Sequence, residues 1–201
     1  MFGLFFFIAL TVYLVTRLND ILGTRTGFYA DKENLRDFSG KNITREAVVT
    51  EKKNDDMVSA VKDAYPMFDA KDFLNKAQKA FEIIFTAYSK GDTKTLKGLL
   101  SPRIFHAFSM AIEDRKKRRE VLEGILVRFV NSEITNVSSE RDEIFITVKF
   151  ETEQSNVLKS EDGAVLEGNT DFIEKRTEIW IFYRKKSSDD SRWYLYEIKS
   201  D

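Results

Sequence analysis

The sequence predicts an α+β domain, an antiparallel curved sheet packed against N-terminal helices, preceded by a single transmembrane helix. Three observations predict it. Residues 2–16, FGLFFFIALTVYLVT, carry no charged side chain. From Asp69 to Ile112 apolar residues recur at the i, i+3, i+4, i+7 spacing of a buried helical stripe. From about Glu123 the period falls towards two, with aromatic and β-branched residues in the repeating positions. Helices followed by strands give a sheet covered by helices on one face, here bent around an apolar interior.

The anchor spans residues 1–23, with Phe2, Phe5, Phe6, Phe7, Ile8, Leu10, Val12, Leu14 and Val15 as its apolar body. A helix rises about 1.5 Å per residue, so Phe2 to Thr16 covers about 22 Å, and continuing through Leu22 reaches roughly 30 Å, close to a hydrocarbon core. Arg17 can snorkel from its end to the interface. A cleaved signal peptide would call for a basic stretch before the apolar run and a small-x-small site after it. No Lys or Arg precedes this run, and RLNDILGTRTG follows it. The flanking cations Arg17, Arg25, Lys32 and Arg36 all lie after the span, and such residues stay on the cytoplasmic side. The expected topology is single-pass in a bacterial cytoplasmic membrane, N-terminus out and domain in the cytoplasm. The eukaryotic counterpart is the matrix side of the mitochondrial inner membrane.

Residues 24–66 are polar and mixed in charge, without a sustained apolar period, and read as a largely disordered linker with a short helical turn over Met57–Tyr65. The folded domain is expected over residues 67–201. Asp69 or Asp72 caps a first helix whose stripe is Phe73, Leu74, Ala77, Ala80, Phe81, Ile84, Phe85 and Tyr88, and Gly91 closes it. Asp92 or Thr93 opens a short helix bearing Leu96, Leu99 and Leu100. Ser101-Pro102 caps a third, with Ile104, Phe105, Phe108 and Ile112 on one face. LVRFVNSEITNV reads as the first strand. Ile144, Ile146, Val148 and Phe150 then alternate with Phe145, Thr147 and Lys149, and RTEIWIFYRK and RWYLYEIK are aromatic-rich strands. EDGAVLEGN and KKSSDDSR are expected as turns.

These residues resemble the Tim44-like domain family, the C-terminal domain of the mitochondrial inner-membrane import translocase scaffold and its bacterial relatives. FLNKAQKAFEIIFTAYSKGDTKTLKGLLS carries the most distinctive part, followed by the Phe108–Ile112–Arg115 helix, ITVKFE, VLEGN, EIWIFYR and WYLYEI. The resemblance implies a cone-shaped fold of the nuclear-transport-factor-two/cystatin-like kind. It also implies a non-enzymatic role at the inner face of an energy-conserving membrane, with membrane-protein or translocase partners and anionic lipid. The mitochondrial relative has a long region ahead of this domain that recruits a chaperone. Here only the linker stands in its place, so chaperone recruitment is not carried over.

Composition narrows the function classes. The chain has 32 basic and 33 acidic residues and a net charge of −1, without the basic excess of a nucleic-acid binder. With no cysteine and one histidine it offers no transition-metal ligand set, and no cofactor is expected. His106 has no evident nucleophile or carboxylate partner. The glycines, Gly163 and Gly168 among them, stand in turn contexts and not in a phosphate-binding loop.

Two constellations are candidate sites. Arg115, Lys116, Lys117, Arg118 and Arg119 form a basic run able to meet anionic lipid or an acidic partner, each cation worth about 1 kcal/mol near an anionic bilayer. The plainer reading is a solvated helix C-terminus, where cations suit the macrodipole and five consecutive residues wrap the helix. Phe81, Phe85, Tyr88, Phe105, Phe108, Phe150, Trp180 and Phe182, with Trp193, could line an apolar pocket, or simply pack as the core. The inward helix positions lack a carboxylate, but Glu178 alternates on its strand with Thr177 and Ile179 and could face a cavity. The expected function is a membrane-tethered scaffold. A binder of lipid or another apolar ligand and an isomerase-like enzyme are the alternatives, the last on fold analogy alone.

Overall fold

A computed structural model describes Val61, Tyr65 and residues 68–169, 172–188, 190 and 192–200. The anchor and nearly all of the linker lie outside the described residues. Among the described residues no helix is long and apolar enough to cross a membrane.

The three helices start and stop where their caps dictate. Helix α1 runs Ala70–Lys90; the Asp69 carboxylate accepts from the Asp72 amide at 2.8 Å, and Gly91 ends the helix at φ 67°. That left-handed turn favours glycine, which has no Cβ to clash. Its buried stripe is Phe73, Ala77, Phe81, Ile84, Ala87 and Tyr88. Helix α2, Thr93–Lys97, is capped by Asp92 and buries Leu96. Helix α3, Pro102–Lys117, is capped by Ser101 and buries Ile104, Phe108, Ile112 and Arg115.

The sheet contains β1 Glu120–Glu140, β2 Glu143–Ser160, β3 Val165–Gly168, β4 Glu174–Lys185 and β5 Tyr194–Ser200. The order is β1-β2-β4-β5, antiparallel throughout, with β3 paired to the far end of β2. Two sequence expectations are corrected here. VLEG is not part of a turn: it is β3, paired with Val157–Lys159. The turn is confined to its approach, where the Ser160 amide bonds Ala164 O at 2.9 Å. Gly168 (φ 87°) is required because a Cβ there would lie 2.2 Å from Asn156 O. The first strand is also far longer than LVRFVNSEITNV. Register shifts at Leu126/Arg128, Phe129/Asn131 and Ile134/Asn136 each insert a residue, which hides the period of two and bends β1.

The bulges keep one set of β1 side chains pointing into the bend, and register then stacks the interior in rows. Val137–Ile146–Phe182–Leu195 and Ile134–Val148–Trp180–Ile198 are apolar. Further along the strands the rows become Phe129–Thr152–Arg176 and Leu126–Gln154–Glu174. Helix α1 covers the apolar rows: Phe73 meets Phe182 and Trp193, and Phe81 meets Phe129, Phe150 and Trp180. The core also reaches back before residue 67. Val61 is fully buried, the Tyr65 amide bonds Val61 O at 2.7 Å, and the buried Arg184 guanidinium sits 4.5 Å from the Tyr65 ring.

Candidate functional site

The aromatic set packs ring on ring. Phe81 lies 4.4 Å from Trp180, 5.1 Å from Phe150 and 5.4 Å from Phe129, between centroids. Tyr88 meets Phe108 at 4.9 Å, and Phe182 meets Trp180 at 6.2 Å. Phe81, Tyr88, Phe108, Phe150, Trp180 and Phe182 are thus buried core. Phe85 and Phe105 are half-buried against it. Phe105 also faces outward, into a groove of about 380 Å³ between α2, the start of α3 and the β4–β5 hairpin. Lys97, Lys185 and Arg192 give that groove a cationic rim; Asp190 is held well below the usual carboxylate range by Arg192 and by the Tyr194 hydroxyl.

The basic run divides. Arg115 is buried, donating to Tyr88 O at 2.8 Å and Ser89 O at 3.0 Å, with its guanidinium 5.1 Å from the Tyr88 ring. It finishes α1, whose last carbonyls have no intrahelical partner. Lys116, Lys117, Arg118 and Arg119 are exposed. Arg118 pairs with Glu120 at 2.9 Å and Arg119 with Glu161 at 3.7 Å. His106, on α3, is exposed.

An apolar outer surface adjoins these cations. Val121, Ile125, Val127 and Val130 stand exposed on β1, Ile125 at 59%, and β1 ends the strand order. Val121, Lys159 and Val165 face each other across β1, β2 and β3, and Leu166, Phe172 and Ile173 are exposed beyond them. Monomeric proteins seldom expose so many clustered large apolar side chains without a use for them. This surface was hidden in the sequence, because the bulges break the alternation that would have marked it.

Glu178 does turn inward, on the face of Trp180 and Phe182 and next to Phe150. The Trp180 Nε1–H donates to Glu178 Oε2 at 2.9 Å, and Gln154 Nε2 approaches Oε1 at 3.4 Å. Burial pushes its carboxyl up, against these two donors and Arg176. A raised carboxyl stabilises the fold only while protonated, and that contribution is lost as pH rises from 4.5 through the folded value. Glu178→Gln is therefore expected to match the parent at acid pH and to exceed it by about 1–2 kcal/mol at pH 7. Urea unfolding across pH 4–8 checks this; a constant difference would mean Glu178 is not strained in its ionised form.

The model of the Tim44-like domain family matches residues 55–200. The chain is 21% identical over 133 residues to mitochondrial import inner membrane translocase subunit TIM44-1 of Arabidopsis thaliana, covering 66% of this chain and 28% of that protein. It therefore spans little more than a quarter of that relative. Among solved structures, the intermembrane space region of chloroplast protein ARC6 gives a TM-score of 0.46 at 16% identity, over 67% of this chain and 98% of that one. A putative dehydratase of the NTF2-like family from Streptomyces avermitilis gives 0.33 at 11% identity, over 65% and 95%.

Proposed function

The chain belongs to the Tim44-like domain family, and from that premise we propose a non-enzymatic scaffold that holds membrane-protein partners at the inner face of an inner membrane. The family match over residues 55–200 is the observation that carries this reading. Tethering by residues 1–23, in the orientation expected from the flanking cations, would keep the domain beside its partners. A bacterial cytoplasmic membrane, or the matrix side in a mitochondrion, is the proposed setting. The exposed apolar row of β1 next to Lys116–Arg119 is the proposed contact surface.

Photoreactive groups at Arg118 and Ile125, in native membranes, test the reading. Crosslinks to membrane proteins are the expected result. Crosslinks to lipid alone would move the weight to a second reading, a lipid-bound domain, which the exposed cations beside apolar side chains favour. No specific crosslink from either position would sink the scaffold.

Charge reversal of Lys116, Lys117, Arg118 and Arg119 to Glu is expected to leave folding intact, since the three ion pairs broken, Lys117–Asp114, Arg118–Glu120 and Arg119–Glu161, have solvent-exposed cations and are worth under about 1 kcal/mol each. Binding to vesicles containing anionic lipid should fall at least about tenfold, with a gap that closes as salt rises. Equal binding by both proteins at low salt would remove the patch from any role at the membrane.

A further inference from the structure

The interior of the sheet changes character along β2. Ile144, Ile146, Val148 and Phe150 are apolar, and the next three positions on the same face are Thr152, Gln154 and Asn156. Thr152 and Gln154 are each only 1% exposed. Asn156 points the same way, because its Oδ1 and the Phe85 ring of α1 both close over Gly124 on the neighbouring strand. Thr152 Oγ1, Gln154 Oε1, and both Asn156 Oδ1 and Nδ2 are buried without a hydrogen-bond partner among the described residues. Each unmet polar group destabilises the fold, and Val or Leu at these positions would avoid that cost. Three successive inward positions with the same defect are not an accident of one side chain.

We infer that this polar end of the concave face is a binding site for a small, uncharged molecule bearing an amide-type group, a carboxamide, lactam or ureide. The unmet set contains acceptors, Gln154 Oε1 and Asn156 Oδ1, and donors, the Thr152 hydroxyl and Asn156 Nδ2. A group with N–H and C=O side by side answers both; a hydrocarbon answers neither, and an anion only the donors. Phe129 stands beside Thr152 in the same row and supplies an apolar wall. The charges nearby are largely self-cancelling: Arg176 holds Glu174 at 2.5 Å, and Glu178, one position further along β4 on the same face, accepts from Trp180 Nε1. The Arg176 and Glu174 side chains keep 17% and 30% of their surface, so the polar end reaches solvent on the β4 side. This site is independent of the scaffold reading and of the outer surface of β1.

The chain has two tryptophans, and Trp180 is hydrogen-bonded to Glu178 at the edge of the site. The full-length chain in detergent micelles, labelled with 5-fluorotryptophan, should give two fluorine signals, assigned by Trp193→Phe. Benzamide, 2-pyridone and 2-imidazolidinone are titrated to millimolar concentration, with toluene as the amide-free control. The expected result is a saturable shift of the Trp180 signal with at least one amide probe and none with toluene. Gln154→Leu should abolish saturation while the fold persists by circular dichroism. No saturable shift with any of the three would overturn the inference and leave these groups bridged by water alone. An equal response to toluene would overturn it as well. Neither of those two outcomes depends on the variant folding.

Discussion

Phe81→Asp is expected to unfold the domain at neutral pH. Phe81 is 1% exposed and touches one ring from each of β1, β2 and β4, with Phe85 of its own helix stacked beside it. Removing the ring alone costs about 3–5 kcal/mol, because the surrounding aromatics cannot collapse into the space. The new carboxylate must also leave water for a site with no donor, which adds several kcal/mol or forces it to stay protonated. The sum approaches the 5–15 kcal/mol that holds an ordinary domain together. Near-ultraviolet circular dichroism should lose its aromatic signal, and the thermal transition should disappear. Phe81→Leu, which keeps most of the volume, should retain a cooperative transition at a cost of about 1–2 kcal/mol. A Phe81→Asp protein that melts like its parent would place the ring outside the core.

How much of this was legible in the sequence follows from which signals are local. Caps and helical stripes are local, so Asp69, Gly91, Asp92 and Ser101 marked the ends of α1, α2 and α3 in the chain itself. The alternation of Ile144, Ile146, Val148 and Phe150 was equally plain, because β2 has no bulge of its own there. The strand β1 reads short because its inward residues Leu122, Leu126, Phe129, Ile134 and Val137 are spaced by bulges that only the partner strand defines. VLEG reads as a turn because Gly163 stands just before it and Gly168-Asn169 end it, and pairing with β2 is a long-range fact. The polar interior was half legible: Glu178 could be placed on the face of Trp180, but Thr152, Gln154 and Asn156 look in sequence like the solvent face of a strand that continues outward. By composition Val61 and Tyr65 read as linker, and nothing local says that the core reaches back to them.

Arg115→Ala is expected to cost about 3 kcal/mol, although Arg115 begins a run of five cations that reads as a surface patch. The helix period already separates it: Arg115 follows Ile112 by three residues and Phe108 by seven, which puts it on the buried stripe of α3. There its guanidinium closes the C-terminus of α1 with two charge-assisted bonds, to Tyr88 O and Ser89 O, and lies on the Tyr88 ring. Such bonds are worth about 1.5–3 kcal/mol each; truncation removes both, although Tyr88 O keeps the Gly91 amide at 3.1 Å. The negative end of the α1 dipole also loses its counter-charge. Burial by itself draws the guanidinium below its ordinary value, the direction of a charge held in place by its acceptors and not by water. Arg115→Lys should recover about half of the loss, because an ammonium is a point charge and cannot span both carbonyls or stack on the ring. Lys116→Ala, at the exposed neighbour, should stay within about 0.5 kcal/mol of the parent. Urea denaturation of the three variants decides the matter: an Arg115→Ala protein as stable as Lys116→Ala would return Arg115 to the surface patch, and a loss confined to Arg115 makes it the bolt between α1 and α3.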